Sequence, residues 1–376
     1  MSAPVAEAAA ERSALSWLVP AAMVVVAYAS LYPFAGWQWP AGAAAVELMR
    51  LPWPRFNPAF DVWANLIGYM PLGALVALRL LLGERGVAAS VALAAILCSG
   101  LSYGLEVTQH LIPGRVPSVL DWLLNSGGAL LGALLVTLGT ARGWLGRWSR
   151  WRRQWFSRDA GGVLVLLLLW PVGLLFPTPF PMGVGLGWER VQDGLVGLLL
   201  DVDWAQGVLE WVSDLPTPYE RPVAVVSGLG MVLGLLAPCL MVGAVTRPGW
   251  RRAALCTVLI ATGVLTTTLA AAVNFGPGHA LGWLGPEVEP ALVTGTLLAW
   301  LIAPLGSRLV AALGVATLAL LVMLVAQVPA DPYFAVSLQA WEQGRFIRFH
   351  GLAQWVGWLW PFLALLALMR RLAMRA

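Results

Sequence analysis

The chain reads as an all-α membrane protein, a polytopic transmembrane helical bundle of about ten spans. Three observations lead there. Hydrophobic residues make up 59% of the chain and charged residues only 11%, less than half the roughly 25% usual in soluble domains. Apolar runs long enough to cross about 30 Å of hydrocarbon recur along the whole length. Arg residues collect between alternate runs, the asymmetry expected of cytoplasmic loops. A soluble globular domain is excluded.

The candidate spans lie near residues 15–33, 60–82, 88–110, 119–139, 161–178, 222–245, 254–274, 289–305, 308–328 and 353–369, those at 161 and 289 being the shortest. The first contains Ala27-Tyr28-Ala29, which a signal peptidase accepts in other contexts. Its leader, however, carries one Arg and two Glu, so it reads as an uncleaved span. With the amino terminus inside, cytoplasmic segments receive Arg12, Arg79, Arg85, the six arginines from Arg142 to Arg158, Arg247, Arg251, Arg252, Arg308, Arg370, Arg371 and Arg375. That is sixteen of the 23 basic residues, all of them Arg. An even number of spans then places both termini in the cytoplasm of a bacterial inner membrane. Cys98, Cys239 and Cys256 fall inside apolar runs and behave as small hydrophobes.

Organisation follows charge. Residues 1–142 hold four spans with polar groups inside them, and residues 161–376 hold six spans almost free of buried charge. Between them, residues 143–160 alternate Arg with Trp. This reads as a cytoplasmic linker whose rings sit in the boundary layer while the guanidinium groups meet anionic lipid, not nucleic acid. Segments 187–213 and 331–349 read as amphipathic helices on the outer surface, anchored by Trp188, Trp204, Trp211, Tyr333 and Trp341. Asp201 and Asp203 read as a solvated acidic loop, since two carboxylates without a third make a poor cation site.

The polar groups are the functional signal. Asp61-x3-Asn65-x2-Gly68 in the second span repeats as Asp121-x3-Asn125-x2-Gly128 in the fourth, followed by Gly73 and Gly132. Four residues return to the same helical face, so each Asp sits one turn above its Asn, and small residues continue that face for close helix approach. The third span ends with Glu106, Gln109 and His110 within one turn of the same boundary. Arg115 lies in the loop to the fourth span, within reach of the carboxylates or of an anion, and Ser118 caps the helix that carries Asp121. Pro71 is expected to break or kink the second span and open a cavity behind Asn65.

Charges at the centre of a membrane cost about 2.5–3.5 kcal/mol each on insertion scales, so these groups must share partners, water or a ligand. Three functions remain open from the residues alone. The carboxylates Asp61, Glu106 and Asp121 with Arg115 would hold a cation and a phosphate together as a catalytic or binding site. They would otherwise exchange protons in a transporter, or tie the loops together in a structural network without catalysis. Asn65, Gln109, His110, Ser118 and Asn125 are the candidate ligand-binding side chains. No dedicated metal site or cofactor follows from the spacing.

At Asp61, Asn65, Pro71, Gly73, Glu106, Gln109, Arg115, Ser118, Asp121, Asn125, Gly128 and Gly132 the chain resembles the VanZ-like family of bacterial membrane proteins, over residues of about 15–140. The resemblance implies four spans, a role in the cell envelope and, in some members, reduced sensitivity to glycopeptide antibiotics. The expected partners are membrane lipids and an anionic envelope precursor, such as a polyprenyl-phosphate-linked glycan, at the outer leaflet.

Overall fold

The computed structural model describes residues 3–32, 34, 36–54, 59–157, 159–176, 178, 180–215, 224–328 and 347–374. Fourteen α-helices account for most of them: α1 (Ala3–Leu31), α2 (Ala45–Leu48), α3 (Ala59–Leu82), α4 (Val87–Gln109), α5 (Val119–Ala141), α6 (Trp144–Trp155), α7 (Gly161–Leu174), α8 (Trp188–Leu199), α9 (Gln206–Ser213), α10 (Ala224–Val245), α11 (Trp250–Phe275), α12 (Val288–Leu301), α13 (Ser307–Ala326) and α14 (Ile347–Ala373). Among the described residues there is no strand beyond an isolated bridge between Phe156 and Thr246. Seven helices are long and apolar enough to cross a membrane, and shorter apolar helices at Leu18–Leu31, Gly161–Leu174 and Val288–Leu301 coincide with the remaining expected spans. The fold is all-α, as the hydropathy pattern requires.

Two compact units divide the chain, Met1–Arg150 and Trp151–Ala376. In the first, α3 and α5 pack most extensively against one another. Their seam is backbone against backbone. A Cβ on Gly128 would lie 2.0 Å from the Leu66 carbonyl oxygen, one on Gly132 only 1.9 Å from that of Met70, and one on Gly73 2.0 Å from that of Ala129. No side chain fits there, which is why three of the four glycines after the repeated motif are required. Gly68 is different: it is exposed and faces open space, so the repeat is not symmetric in packing. A small core of Tyr69, Leu72, Val76, Ala77, Ala94, Cys98, Ala129 and Ala133 fills the angle between α3, α4 and α5. Such thin, small-residue packing is how membrane helices gain contact where burial against lipid contributes little.

Pro71 does not break α3, which runs continuously from Ala59 to Leu82. The cavity near it is an apolar groove on the other half of the helix, and Asn65 is not among the groove's lining residues. The Arg/Trp stretch is likewise more regular than a linker: α6 places Trp144, Trp148, Trp151 and Trp155 at i, i+4, i+7 and i+11, one continuous stripe along a helix.

In the second unit α10 is central. Of its span 67% is buried within the protein, against 22–33% for the other six long spans. It packs against α7, α11, α12, α13 and α14. Trp170 and Trp360 are wholly enclosed, with Trp360 Nε1 donating to Leu166 O at 2.7 Å. Arg252, expected in a cytoplasmic loop, is fully buried instead. Its guanidinium donates to the carbonyl oxygens of Ile302 (3.1 Å), Leu305 (2.6 Å) and Thr246 (2.7 Å) and to Ser307 Oγ (3.1 Å). One cation thus satisfies helix-end carbonyls that have no intrahelical partner. The segment 187–213 forms α8 and α9, joined where Gln192 Nε2 donates to Val212 O and Leu215 O at 2.8 and 3.0 Å. The stretch holding Tyr333 and Trp341, the Asp203 side chain and Arg158 lie outside the described residues.

Candidate functional site

Because α3 and α5 run in one direction and α1 and α4 in the other, the ends bearing Asp61, Asp121, Ser30 and Glu106 meet at one end of the first unit. Hydrogen bonds fix that meeting. Ser118 is the N-cap of α5, its Oγ accepting from Leu120 N and Asp121 N, both at 3.2 Å. Its own N–H donates to Glu106 Oε2 at 3.0 Å. Glu106 is only 4% exposed, so the carboxylate joins the end of α4 to the start of α5 and sits where the α5 dipole favours negative charge. Gln109 Nε2 donates to Ser30 O at 3.2 Å, tying α4 to α1. Arg115 Nη2 donates to Tyr32 O. None of Glu106, Arg115 and Asp121 lacks a partner.

Two loops cover this end. Gln38 N donates to Leu111 O at 2.9 Å, and Val119 N to Pro52 O at 3.0 Å. Tyr103 Oη donates to Met49 O at 2.6 Å. The segment between α1 and α3 is thereby held across the α4–α5 turn, over Glu106 and Ser118.

One turn deeper the network becomes incomplete. Asn125 Nδ2 donates to Ser102 Oγ at 2.9 Å, both residues being buried. The Tyr69 hydroxyl has Ser102, Ser30 and Glu106 around it, yet no hydrogen bond closes on it. Asn65 Nδ2 and Asn125 Oδ1 are also buried without a partner. A buried polar atom with no partner costs about 1–3 kcal/mol when nothing binds it; the two amide atoms carry that cost in full, and the Tyr69 hydroxyl, with Ser102 and Ser30 beside it, carries less. Nearby, Trp122 Nε1 and Ser126 Oγ both reach Ser99 Oγ, at 3.0 and 2.8 Å, and lock α5 to α4.

The expected site residues therefore separate. Asn65, Glu106, Gln109, Arg115, Ser118 and Asn125 occupy one end of the bundle, with Asp61 and Asp121 half-buried in the first turns of α3 and α5. His110 takes no part in this network: it is the C-cap of α4, and its Nδ1 pairs with Val107 O of its own helix at 3.2 Å. Among the described residues no group of three or more His, Cys, Asp or Glu is arranged to hold a metal ion. Asp61, Glu106 and Asp121 share an end of the bundle without forming a ligand cluster. Tyr69 and Ser102 were missed from the sequence, although each stands four residues from a chosen residue, Asn65 and Glu106, on the same helical face.

Fold and site together define a polytopic helical membrane protein whose amino-terminal unit gathers buried polar side chains at one loop-covered end of its helices. Residues 10–140 match the family described as VanZ/LLP1, a match that spans α1 to α5 and leaves the second unit outside it. No significant match was found among curated proteins or among solved structures.

Proposed function

We propose that the amino-terminal unit is a binding module of the bacterial cell envelope that takes the anionic headgroup of a lipid-linked precursor at the outer leaflet. A polyprenyl-phosphate-linked glycan is the substrate class. The observation that carries this reading is the set of three buried, unpartnered polar atoms: Asn65 Nδ2, Tyr69 Oη and Asn125 Oδ1. A donor, a hydroxyl and an acceptor left over on the paired helices α3 and α5 suit a sugar or phosphate better than a hydrocarbon chain.

Arg115 supplies positive charge at the mouth, Asp61 and Asp121 line the helix N-termini, and Gln109 fixes α1. Glu106 and Ser118 position the α4–α5 turn. In this reading both termini are cytoplasmic, and sequestering the precursor reduces sensitivity to glycopeptide antibiotics. Binding requires no bond to be made or broken.

The test is native mass spectrometry of the full chain with added polyprenyl phosphate. The wild type retains it and Asn65→Leu does not, while thermal stability stays at or above wild type. Equal retention by both refutes the reading. A structural network is the second reading, favoured by the engagement of Glu106 with Ser118 N. It predicts no lipid retention in either protein.

A further inference from the structure

At the opposite end of the first unit, about 390 Å³ of empty groove lies between α3 and α5 beneath α6, lined by Pro71, Ala74, Gly132, Leu135, Gly139, Trp144 and Trp148 among others. That volume falls within the range of ligand sites, roughly 300–1,000 Å³. The sequence makes the hollow. Gly132 and Gly139 contribute no side chain and Ala74 almost none. Trp144 seats its ring where a Gly139 Cβ would be, 2.6 Å away, so the indole roofs the groove instead of filling it. Leu135, Trp144 and Trp148 are about half exposed, which leaves the groove open at its rim.

The rim is basic. Arg79 in the last turn of α3, Arg85 in the α3–α4 turn, Arg142 at the end of α5, and Arg147 and Arg150 on α6 are all exposed. Glu84 is the acidic residue in the α3–α4 turn. An apolar trough with aromatic walls, at the end of the unit where exposed arginines collect, suits a lipid with one chain down and an anionic head up.

We propose that this groove is a specific site for an anionic glycerophospholipid, one acyl chain lying along Pro71, Ala74 and Gly132 and the headgroup phosphate meeting Arg142, which continues the α5 face of Leu135 and Gly139, and Arg147. It is separate from the buried polar cluster and takes a different ligand. Two surface arginines favour an anionic over a zwitterionic lipid by roughly thirtyfold.

The experiment releases the full chain from nanodiscs of equal parts phosphatidylglycerol and phosphatidylcholine into native mass spectrometry. The wild type should retain one phosphatidylglycerol in strong preference to phosphatidylcholine. Ala74→Leu and Thr140→Leu, which enlarge side chains of the groove's lining, should lose it, and R142Q/R147Q should lose the preference. Thermal melting checks that each variant is folded, and either filling variant suffices if the other does not fold. Equal retention of the two lipids by the wild type overturns the proposal. So does undiminished phosphatidylglycerol on folded filling variants, or displacement of it by polyprenyl phosphate at lower concentration.

Discussion

Glu106→Leu should destabilise the first unit by about 2–3 kcal/mol. The carboxylate accepts the N–H of Ser118 at 3.0 Å, with both residues almost fully buried. A hydrogen bond to a charged acceptor contributes about 1.5–3 kcal/mol, and its loss leaves a buried donor that water does not reach. Ser118 also holds the first turn of α5, so the injury spreads to Leu120 and Asp121. Part of the loss is offset because Leu carries no charge to desolvate. Glu106→Gln keeps an oxygen for the same N–H and should cost about 1 kcal/mol or less, the value of a neutral bond. Reversible unfolding of the full chain in mixed micelles gives both numbers. If Glu106→Leu is as stable as wild type, the carboxylate does not anchor the turn. If Glu106→Gln is as damaging as Leu, the charge is required and the geometric argument is wrong. A pH-dependent flux in proteoliposomes that Glu106→Gln alone abolishes would instead make Glu106 a proton carrier.

Other outcomes follow from the same structure. Gly132→Ala forces α3 and α5 apart, since the new methyl would lie 1.9 Å from Met70 O; a loss of at least about 1–3 kcal/mol in unfolding is expected, whereas Gly68→Ala, in open space, should leave stability unchanged. Arg252→Ala removes the guanidinium's bonds to Thr246 O, Ile302 O, Leu305 O and Ser307 Oγ, although Thr246 O keeps Ser307 Oγ and Ile302 O keeps Leu305 N as donors, and should cost about 3 kcal/mol, visible as loss of folded protein in gel filtration. Partial burial acts to raise the Asp159 carboxyl, but the bond and charge of Arg371, the Ser157 hydroxyl and a backbone N–H together outweigh it and hold the group below its ordinary value. A depressed value means stabilisation that is complete above about pH 4 and disappears as pH falls through the folded value. The pair is partly exposed, so the melting temperatures of wild type and Asp159→Asn should differ by little at neutral pH, under about 1 kcal/mol in stability, and converge in acid.

Hydropathy located the seven long helices, because about 30 Å of hydrocarbon demands about 20 apolar residues, and the expected spans at 161 and 289, the shortest in sequence, are helices of 14 residues. Local geometry was legible where sequence spacing equals spatial spacing: Ser118 caps α5, and Glu106 and Gln109 share the buried face at the end of α4. Tyr69 and Ser102 escaped notice because a Tyr or Ser in an apolar run reads as core or surface until a neighbouring helix brings a partner. Arg252 escaped for the opposite reason. Counted as a loop charge, it is buried by the carbonyl oxygens of two separate turns, α10–α11 and α12–α13, whose approach no local pattern records. Gly68 and Pro71 show the converse. The motif repeats, but only α5 presents its first glycine to the seam, and α3 continues through its proline.

The proposed binding role of Asn65, Tyr69 and Asn125 is tested most directly by unfolding Asn65→Leu with and without polyprenyl phosphate. The unliganded variant should be more stable than wild type by about 1–3 kcal/mol, because an orphaned buried donor has been removed. Added lipid should then stabilise the wild type and leave the variant unmoved. A variant less stable than wild type, and stabilised equally by the lipid, would contradict the account.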